Sequence, residues 1–187
     1  MKYLIVGLGN IGAEYHQTRH NIGFMILDAM TEASNISFST ERYGAVARCR
    51  LKNKQLVLLK PSTYMNLSGE AVRYWMQKEK IPVDHILIVV DDLALPLGAI
   101  RIKASGSDAG HNGLKNIAQC LGTQAYPRLR FGIGSDFSRG HQVDFVLSKF
   151  SKDELKELEP RIEQAIGAIK TFVLSGIQTA MCDYNNK

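Results

Sequence analysis

The chain has 187 residues, of which 45% are hydrophobic and 22% are charged, and its formal net charge is +5. This composition is typical of one globular domain, and we do not expect an intrinsically disordered chain. No run approaches the roughly 20 consecutive apolar residues of a membrane span, and no signal-peptide pattern precedes the first apolar run, so we expect a cytoplasmic protein without membrane contacts.

Three cysteines are widely spaced along the chain, at Cys49, Cys120 and Cys182, and none belongs to a CxxC pair. An odd number of isolated cysteines argues against a disulfide framework and against a structural zinc site. We expect them to be ordinary packing residues.

A short β-branched strand is predicted at residues 2–6, and the segment 7–23 that follows it is rich in glycine, amide and imidazole side chains. Its first glycines have the spacing GxGxxG, which begins at Gly7 and matches part of a dinucleotide-binding fingerprint. That fingerprint requires a helix at the third glycine and an acidic residue at the end of the next strand. Helical spacing begins only at Ile22, and the nearest acidic residue, Asp28, falls inside that helix. We therefore favour a different kind of site.

Strands and helices are predicted to alternate along the rest of the chain. The predicted strands are 2–6, 43–51, 55–60, 86–90, 99–104 and 128–134, and the predicted helices are 21–34, 68–80, 112–121 and 151–182. Pro160 is expected to bend or interrupt the last helix. Continuous apolar runs such as 86–90 are typical of strands buried on both faces. The pattern predicts a single three-layer α/β domain over residues 1–187, with a mostly parallel, mixed and twisted sheet flanked by helices.

Polar motifs follow the predicted strands where those strands end. Asn10 follows the first strand, the block 60–69 follows the third, and Asp91 begins a pair of aspartates after the fourth. A fourth motif, the loop 106–113, runs into the third helix, whose first amides could meet an anion or an oxyanion. Because parallel strands share one carboxyl edge, we expect all four motifs to line one cleft.

The residue types in these motifs favour metal-free hydrolysis. The sequence has no HExxH, no GxSxG and no cysteine beside a histidine. A histidine held by a carboxylate can take a proton from water, and we choose His20 with Asp91 for this role. A metal held by His16 and His20 is the alternative, although no third ligand is evident. His111 is interpreted as structural, with its ring bound to a backbone carbonyl.

Basic residues are unevenly distributed. Six lie between Arg42 and Lys60 without an acidic residue among them, whereas acidic residues concentrate at 153–163. A second basic group consists of Arg101, Lys103, Lys115, Arg128 and Arg130. This asymmetry predicts that one face meets a polyanion, and solvated lysines on edge strands are the alternative.

Taken together, the motifs resemble those of bacterial peptidyl-tRNA hydrolases along nearly the whole chain. The matching segments, in order, are GLGN-x-G-x-x-Y-x-x-TRHN-x-G, KPSTYMNLSG, DDLALPLG-x-x-R-x-K, GHNGLK and RLRFGIG. The resemblance implies hydrolysis of the ester between a peptide and the terminal ribose of tRNA, without metal or cofactor. It also implies a monomer that needs no protein partner.

The same resemblance implies roles for individual residues. His20 would activate water and Asp91 would orient it. Substrate binding is implied for Asn10, Tyr15, Asn66 and Asn112, with Tyr15 beside the acceptor end of the tRNA. Contact with tRNA phosphates is implied for Lys103 and Arg130. Without the resemblance, the three asparagines would be read as turn formers or helix caps.

The chain departs from the family pattern at several loop positions. Ile11 stands where proline is usual, Ala94 where aspartate is frequent, Ala109 where glycine is frequent, and Ser135 and Asp136 where a basic residue and proline are common. These departures bear on loop rigidity and on fine substrate contacts. A non-catalytic RNA-binding relative of the same fold is the alternative function. The intact catalytic positions argue against it.

Overall fold

The sheet is built around strand β1 (Lys2–Gly7), whose side chains from Leu4 to Val6 are fully buried. The computed structural model describes residues 1–187. The other strands are β2 (Ser39–Glu41), β3 (Gly44–Leu51), β4 (Lys54–Pro61), β5 (Ile86–Asp92), β6 (Ile100–Lys103) and β7 (Arg128–Gly132). They are ordered β2-β3-β4-β1-β5-β7-β6 across the sheet.

Four of these strands, β4, β1, β5 and β7, are parallel, whereas the pairs β2–β3, β3–β4 and β6–β7 are antiparallel. The sheet is therefore mixed, as predicted. The parallel strands end at one common edge, and this edge carries the candidate site.

Helices cover both faces of the sheet. They are α1 (Ile22–Ala33), α2 (Ser68–Lys78), α3 (Asn112–Leu121), α4 (Gln142–Val146), α5 (Lys152–Ser175) and α6 (Ile177–Tyr184). Alternate side chains of β1 point to opposite faces, so Ile5 packs with α1 and α5 while Leu4 packs with α2 and α3. These two apolar layers confirm the predicted three-layer α/β architecture. None of the helices is both long enough and apolar enough to cross a membrane.

The last predicted helix is two helices, and the break does not lie at Pro160. Helix α5 continues through Pro160, and the chain turns instead at Gly176, where φ is 93°. Proline removes the hydrogen bond to the carbonyl of Lys156, but both residues are exposed, so water can replace the lost donor. The prediction that Pro160 interrupts the helix is therefore wrong. Strand β2 and helix α4 were not predicted at all.

The first glycines serve close packing of α1 against β1. A Cβ atom at Gly7 would lie 2.3 Å from the carbonyl oxygen of Gly23, and one at Gly23 would lie 2.5 Å from the amide nitrogen of Leu8. Helix α1 begins at Ile22, as predicted, and the third glycine, Gly12, precedes only a short 3-10 turn. The glycines thus allow the start of α1 to pack directly against the end of β1.

Strand β6 lies at one end of the sheet, and its outer side is covered by the C-terminal segment. The side-chain amide of Asn185 donates to the carbonyl oxygen of Ile102 at 2.9 Å and accepts the Ile102 N–H at 2.6 Å. This amide occupies the place that a neighbouring strand would take.

Candidate active site

Asp91 forms the centre of the candidate site. It lies near the end of β5, and its side chain is only 3% exposed. One carboxylate oxygen, Oδ2, lies 2.8 Å from Nδ1 of His20, and the other, Oδ1, lies 2.8 Å from Nε2 of His111. Two imidazoles from separate segments therefore share a single buried carboxylate.

The ring of His111 is held from both sides. Its Nδ1 accepts hydrogen bonds from the backbone N–H groups of Gly113 (3.1 Å) and Leu114 (3.4 Å) at the start of α3. Because Nδ1 is an acceptor, Nε2 carries the hydrogen and donates it to Asp91.

This arrangement corrects two predictions. The ring of His111 binds backbone amides and Asp91, not a backbone carbonyl, and two of the α3 amides that were expected to meet an anion are already occupied by it. Sequence reasoning missed the place of His111 in the site. The available signal was a histidine at the position directly before a helix, where a cap with an acceptor atom is needed.

The contact with Asp91 sets the protonation preferences of His20. Burial disfavours the imidazolium form of His20, but the charge of Asp91 and their hydrogen bond outweigh it, so the pKa of His20 is raised. Burial likewise opposes ionisation of Asp91, yet the two imidazoles hold the pKa of this carboxyl well below its usual range. The neutral His20 donates through Nδ1, and its Nε2 has no hydrogen-bond partner within the protein.

His20, Asp91 and His111 line a cleft of about 470 Å³. Its polar lining includes Asn112 and Arg130. Its apolar lining comes from Leu93, next to Asp92 at the end of β5, and from Phe137 and the α4 residues Val143 and Val146. The cleft thus combines the imidazole of His20 with apolar side chains supplied in part by α4.

Asn10, in the loop that follows β1, lines a different hollow from His20. Its side-chain oxygen accepts the backbone N–H of Met65 at 3.1 Å, which ties the loop after β1 to the loop after β4. Asn21 in turn clamps the backbone of Asn10, accepting its N–H (2.8 Å) and donating to its carbonyl (2.9 Å). The buried Asn21 was not identified from the sequence, because nothing in its local pattern distinguishes it from a helix cap.

The four motifs meet at the carboxyl edge of the parallel strands, where Asn10 is hydrogen-bonded to Met65 and His111 to Asp91. Their side chains line two hollows at this edge. Asn10 and Lys60 line a second hollow of about 680 Å³. Asn66 is exposed on a 3-10 turn, Met65–Leu67, and lines neither space. Tyr15 is half-buried in another 3-10 turn and also lies outside both linings. Of the predicted asparagines, only Asn112 lines the cleft that contains His20.

The two predicted phosphate ligands differ sharply in exposure. Lys103 is exposed on β6, whereas Arg130 on β7 is only 8% exposed and donates to the carbonyl oxygen of Ser107 at 2.6 Å. An Nη1 atom of Arg130 also lies 3.7 Å from Asp92. Arg130 therefore holds the loop before α3, while Lys103 is free to meet an anion.

The first basic group does not form one surface at the cleft. Arg48 is paired with Glu41 and Glu79. Lys52 lies in the turn between β3 and β4, and because β4 ends at the cleft edge, this turn lies at the opposite edge of the sheet. Lys60, near the end of β4, lies at the cleft edge and is paired with Asp28. The first basic group is therefore spread over both edges of the sheet and does not form one continuous face.

Metal-ligating atoms also converge at Asp91. One ligand atom from each of His20, Asp91 and His111 lies within 4.8 Å of the others, whereas His16, the predicted alternative ligand, is exposed and lies outside this group. Hydrogen bonds of 2.8 Å already account for the three side chains, and the amides of α3 fix which nitrogen of His111 carries the hydrogen. The arrangement therefore fits one ionised carboxylate that accepts a hydrogen bond from each of two imidazoles.

Comparisons with known proteins point to one family. Residues 4–187 match the family model described as peptidyl-tRNA hydrolase. The chain is 64% identical over 187 residues to a peptidyl-tRNA hydrolase of Phocaeicola vulgatus, covering 100% of both chains. It is 62% identical over 187 residues to one of Bacteroides fragilis, again covering 100% of both. The crystal structure of the peptidyl-tRNA hydrolase from Acinetobacter baumannii has a TM-score of 0.92 at 35% identity, covering 98% of this chain and 94% of that one.

Proposed function

Because the chain belongs to the peptidyl-tRNA hydrolase family, it hydrolyses the ester bond of peptidyl-tRNA, and we propose that a water molecule activated by His20 carries out this reaction. One observation carries the proposal. The hydrogen bond of 2.8 Å from Nδ1 of His20 to Asp91 leaves Nε2 without a protein partner beside the cleft. A neutral imidazole in this state is a competent general base.

In the proposed mechanism, Nε2 of His20 takes a proton from water while the water oxygen attacks the ester carbonyl carbon. The resulting imidazolium is stabilised by Asp91, which stays ionised because two imidazoles hold its pKa low. His20 then returns the proton to the ribose oxygen as the bond from that oxygen to the carbonyl carbon breaks. The products are a peptide carboxylic acid and a free tRNA hydroxyl.

The proposed substrate contacts are those of Asn10, Tyr15, Asn66 and Asn112. Asn112 is the best supported, since it lines the cleft at the start of α3, where an amide could donate to the carbonyl oxygen as it gains charge. The support for Asn10 is indirect, because its side-chain oxygen is engaged with Met65.

For the tRNA, we propose phosphate contacts from Lys103, which is exposed on the end strand β6. The same role for Arg130 has weaker support, since its guanidinium is buried against Ser107 and Asp92. We further propose that the protein acts in the cytoplasm, where translation supplies its substrate, as a monomer without an obligate protein partner, a metal or a cofactor.

The test is the release of free tRNA from N-acetyl-aminoacyl-tRNA in the presence of EDTA. The wild type and His16→Ala are expected to cleave, and His20→Ala is expected to be slower by about 10²–10⁴-fold, the usual contribution of a general base. The His16→Ala variant is the matched control, because it removes an exposed histidine four positions away. Loss of wild-type cleavage in EDTA would show a metal-dependent reaction, and RNA binding without cleavage would favour the non-catalytic relative.

A further inference from the structure

Arg19 directly precedes His20, and its side chain contacts the segment that includes the end of α4 and the start of α5. Its Nη1 and Nη2 atoms donate to the two carboxylate oxygens of Glu154, at 2.7 and 3.1 Å, and its Nε donates to the hydroxyl of Ser148 at 3.0 Å. All three side-chain nitrogens are therefore engaged with a segment about 130 positions later in the chain.

Two aromatic rings enclose the same guanidinium. The Cζ atom of Arg19 lies 4.6 Å from the ring centre of Phe145 and 5.1 Å from that of Phe150. The side chain of Arg19 is only 12% exposed, so these contacts are shielded from water. The hydrogen bonds from Arg19 also hold the pKa of Glu154 below its ordinary value, which keeps this partner ionised.

The backbone reinforces this attachment. The N–H of Arg19 donates to the carbonyl oxygen of Ser148 at 3.0 Å, and the N–H of Phe150 donates to the carbonyl oxygen of Gln17 at 3.1 Å. Between them, Thr18 and Lys149 form an isolated antiparallel bridge. The link 148–150 between α4 and α5 is thus bound directly to the turn that leads into His20.

Helix α4 has no fully buried residue, and only Phe145 and Val146 pack, partly buried, against the core. Val143 and Val146 nevertheless line the cleft that also contains His20. A short, exposed helix has little packing of its own to fix its distance from the catalytic base. Its end is fixed instead through Phe145 and Ser148, both of which contact Arg19.

We propose that Arg19 is a positioning residue that holds the α4 wall of the cleft at a fixed distance from His20. The proposal rests on the proposed function, since it concerns the cleft in which the ester is cleaved. Arg19 touches neither Asp91 nor the reacting atoms, so it acts through the placement of α4.

The experiment compares Arg19→Gln, Arg19→Lys and Glu154→Gln with the matched control Arg48→Gln, which removes an Arg–Glu pair remote from the cleft. Arg19→Gln is expected to lower kcat/KM for N-acetyl-aminoacyl-tRNA by about 10²-fold, the effect of misplacing a site by an ångström. Arg19→Lys should restore part of this loss, because lysine keeps the charge without the two-pronged contact. Arg48→Gln should leave kcat/KM unchanged.

Two further measurements separate positioning from general stability. Amide hydrogen exchange in residues 142–150 should become faster in Arg19→Gln while strands β1 and β5 keep their protection. In Arg19→Gln, an NMR titration should give the same pKa for His20 as in the wild type, because Arg19 does not contact Asp91. The double variant Arg19→Gln with Glu154→Gln should be no slower than Arg19→Gln alone, since both changes remove the same contact.

Wild-type kcat/KM in folded Arg19→Gln, or an equal loss in Arg48→Gln, would overturn the proposal. Unchanged exchange in residues 142–150 would also overturn it. An inactive wild type would contradict the proposed function instead, and the exchange comparison, which needs no substrate, would still decide whether Arg19 positions α4.

Discussion

Two hydrogen-bonded pairs of ionisable side chains have nearly the same contact distances and very different surroundings. At the cleft, Asp91 lies 2.8 Å from His20 and its side chain is 3% exposed. On β3, Arg48 lies 2.9 Å from Glu41 and its side chain is 49% exposed. Water screens the exposed pair and can replace either partner, whereas a group left unpaired beside Asp91 has no such replacement.

The comparison teaches that a short contact does not identify a functional site by itself. Arg48 also lowers the pKa of Glu41, through their hydrogen bond. What distinguishes the cleft is that burial, a strand end and an unpartnered imidazole nitrogen coincide there. The following predictions test this difference, in order of decreasing effect.

The largest effect is expected from Asp91→Asn, which keeps the shape of the side chain and removes its charge. kcat should fall by about 10²–10⁴-fold, because the imidazolium of His20 loses its stabilising partner. The wild-type rate should rise with pH as His20 loses its proton, at a pKa that Asp91 raises. In Asp91→Asn, this limb of the pH–rate profile should move to lower pH. An unmoved limb would mean that a different group controls it.

The same variant should show a defined pH window in stability. Since the pKa of Asp91 is lowered in the folded state, its stabilisation is present above the unfolded value of about 3.9 and is lost as the pH falls further. Since the pKa of His20 is raised, its share is present below about 6.5 and is lost as the pH rises through the folded pKa. Chemical denaturation should therefore separate wild type from Asp91→Asn most clearly between about pH 4 and 6.5.

The next largest effect is expected from replacing His111. Two variants test separately its contact with the α3 amides and its contact with Asp91. His111→Asn keeps an acceptor for the α3 amides but cannot reach Asp91, whereas His111→Ala loses both contacts. Both should lower kcat by about tenfold, which corresponds to about 1.4 kcal/mol. Only His111→Ala should lose about 1 kcal/mol more in the free energy of unfolding, the usual contribution of a cap. Equal stabilities would show that the cap contributes nothing.

Lys103 on β6 and Arg130 on β7 should differ in their effect on stability, because one side chain is exposed and the other is buried. Lys103→Ala should leave the melting temperature unchanged and reduce the salt slope of tRNA binding by about one. Arg130→Ala should lower the free energy of unfolding by about 1–3 kcal/mol, because it leaves Ser107 and Asp92 without a buried partner. If Arg130→Ala changes only the salt slope, its side chain must turn outward to bind phosphate.

The smallest effect is expected from Arg48→Gln. An exposed ion pair contributes about 0–1 kcal/mol, so the unfolding free energy should change within that range. Turnover should not change, because Arg48 lies outside the cleft. A large loss of stability would show that the exposed pair of Arg48 and Glu41 contributes as much as a buried pair.

Most of the fold could be predicted from the sequence, because long apolar runs such as those of β4 and β5 carry a clear period. Strand β2 and helix α4 have three and five residues, too few for a period to appear. The position of the break in the last helix could not be predicted from Pro160, because tolerance of proline depends on whether the unpaired carbonyl faces water. That depends on the packing of α5, which local sequence does not reveal.

The site was predicted in part, for a similar reason. His20 and Asp91 could be found because polar residues at the ends of parallel strands converge by topology. His111 was missed because a capping residue and a loop residue look alike in sequence. The burial of Arg130 was also unpredictable, since arginine is ordinarily a surface residue and only the folded chain brings the loop of Ser107 against it.

The amide of Asn185 has a consequence for the behaviour of the protein in crowded solution. An edge strand with unpaired backbone N–H and C=O groups is a template on which other chains can add further strands. Here Asn185 already occupies both backbone groups of Ile102, and the opposite end strand, β2, has only three residues. Another polypeptide must displace the C-terminal segment before it can extend the sheet at β6, which protects the folded chain against edge-to-edge aggregation.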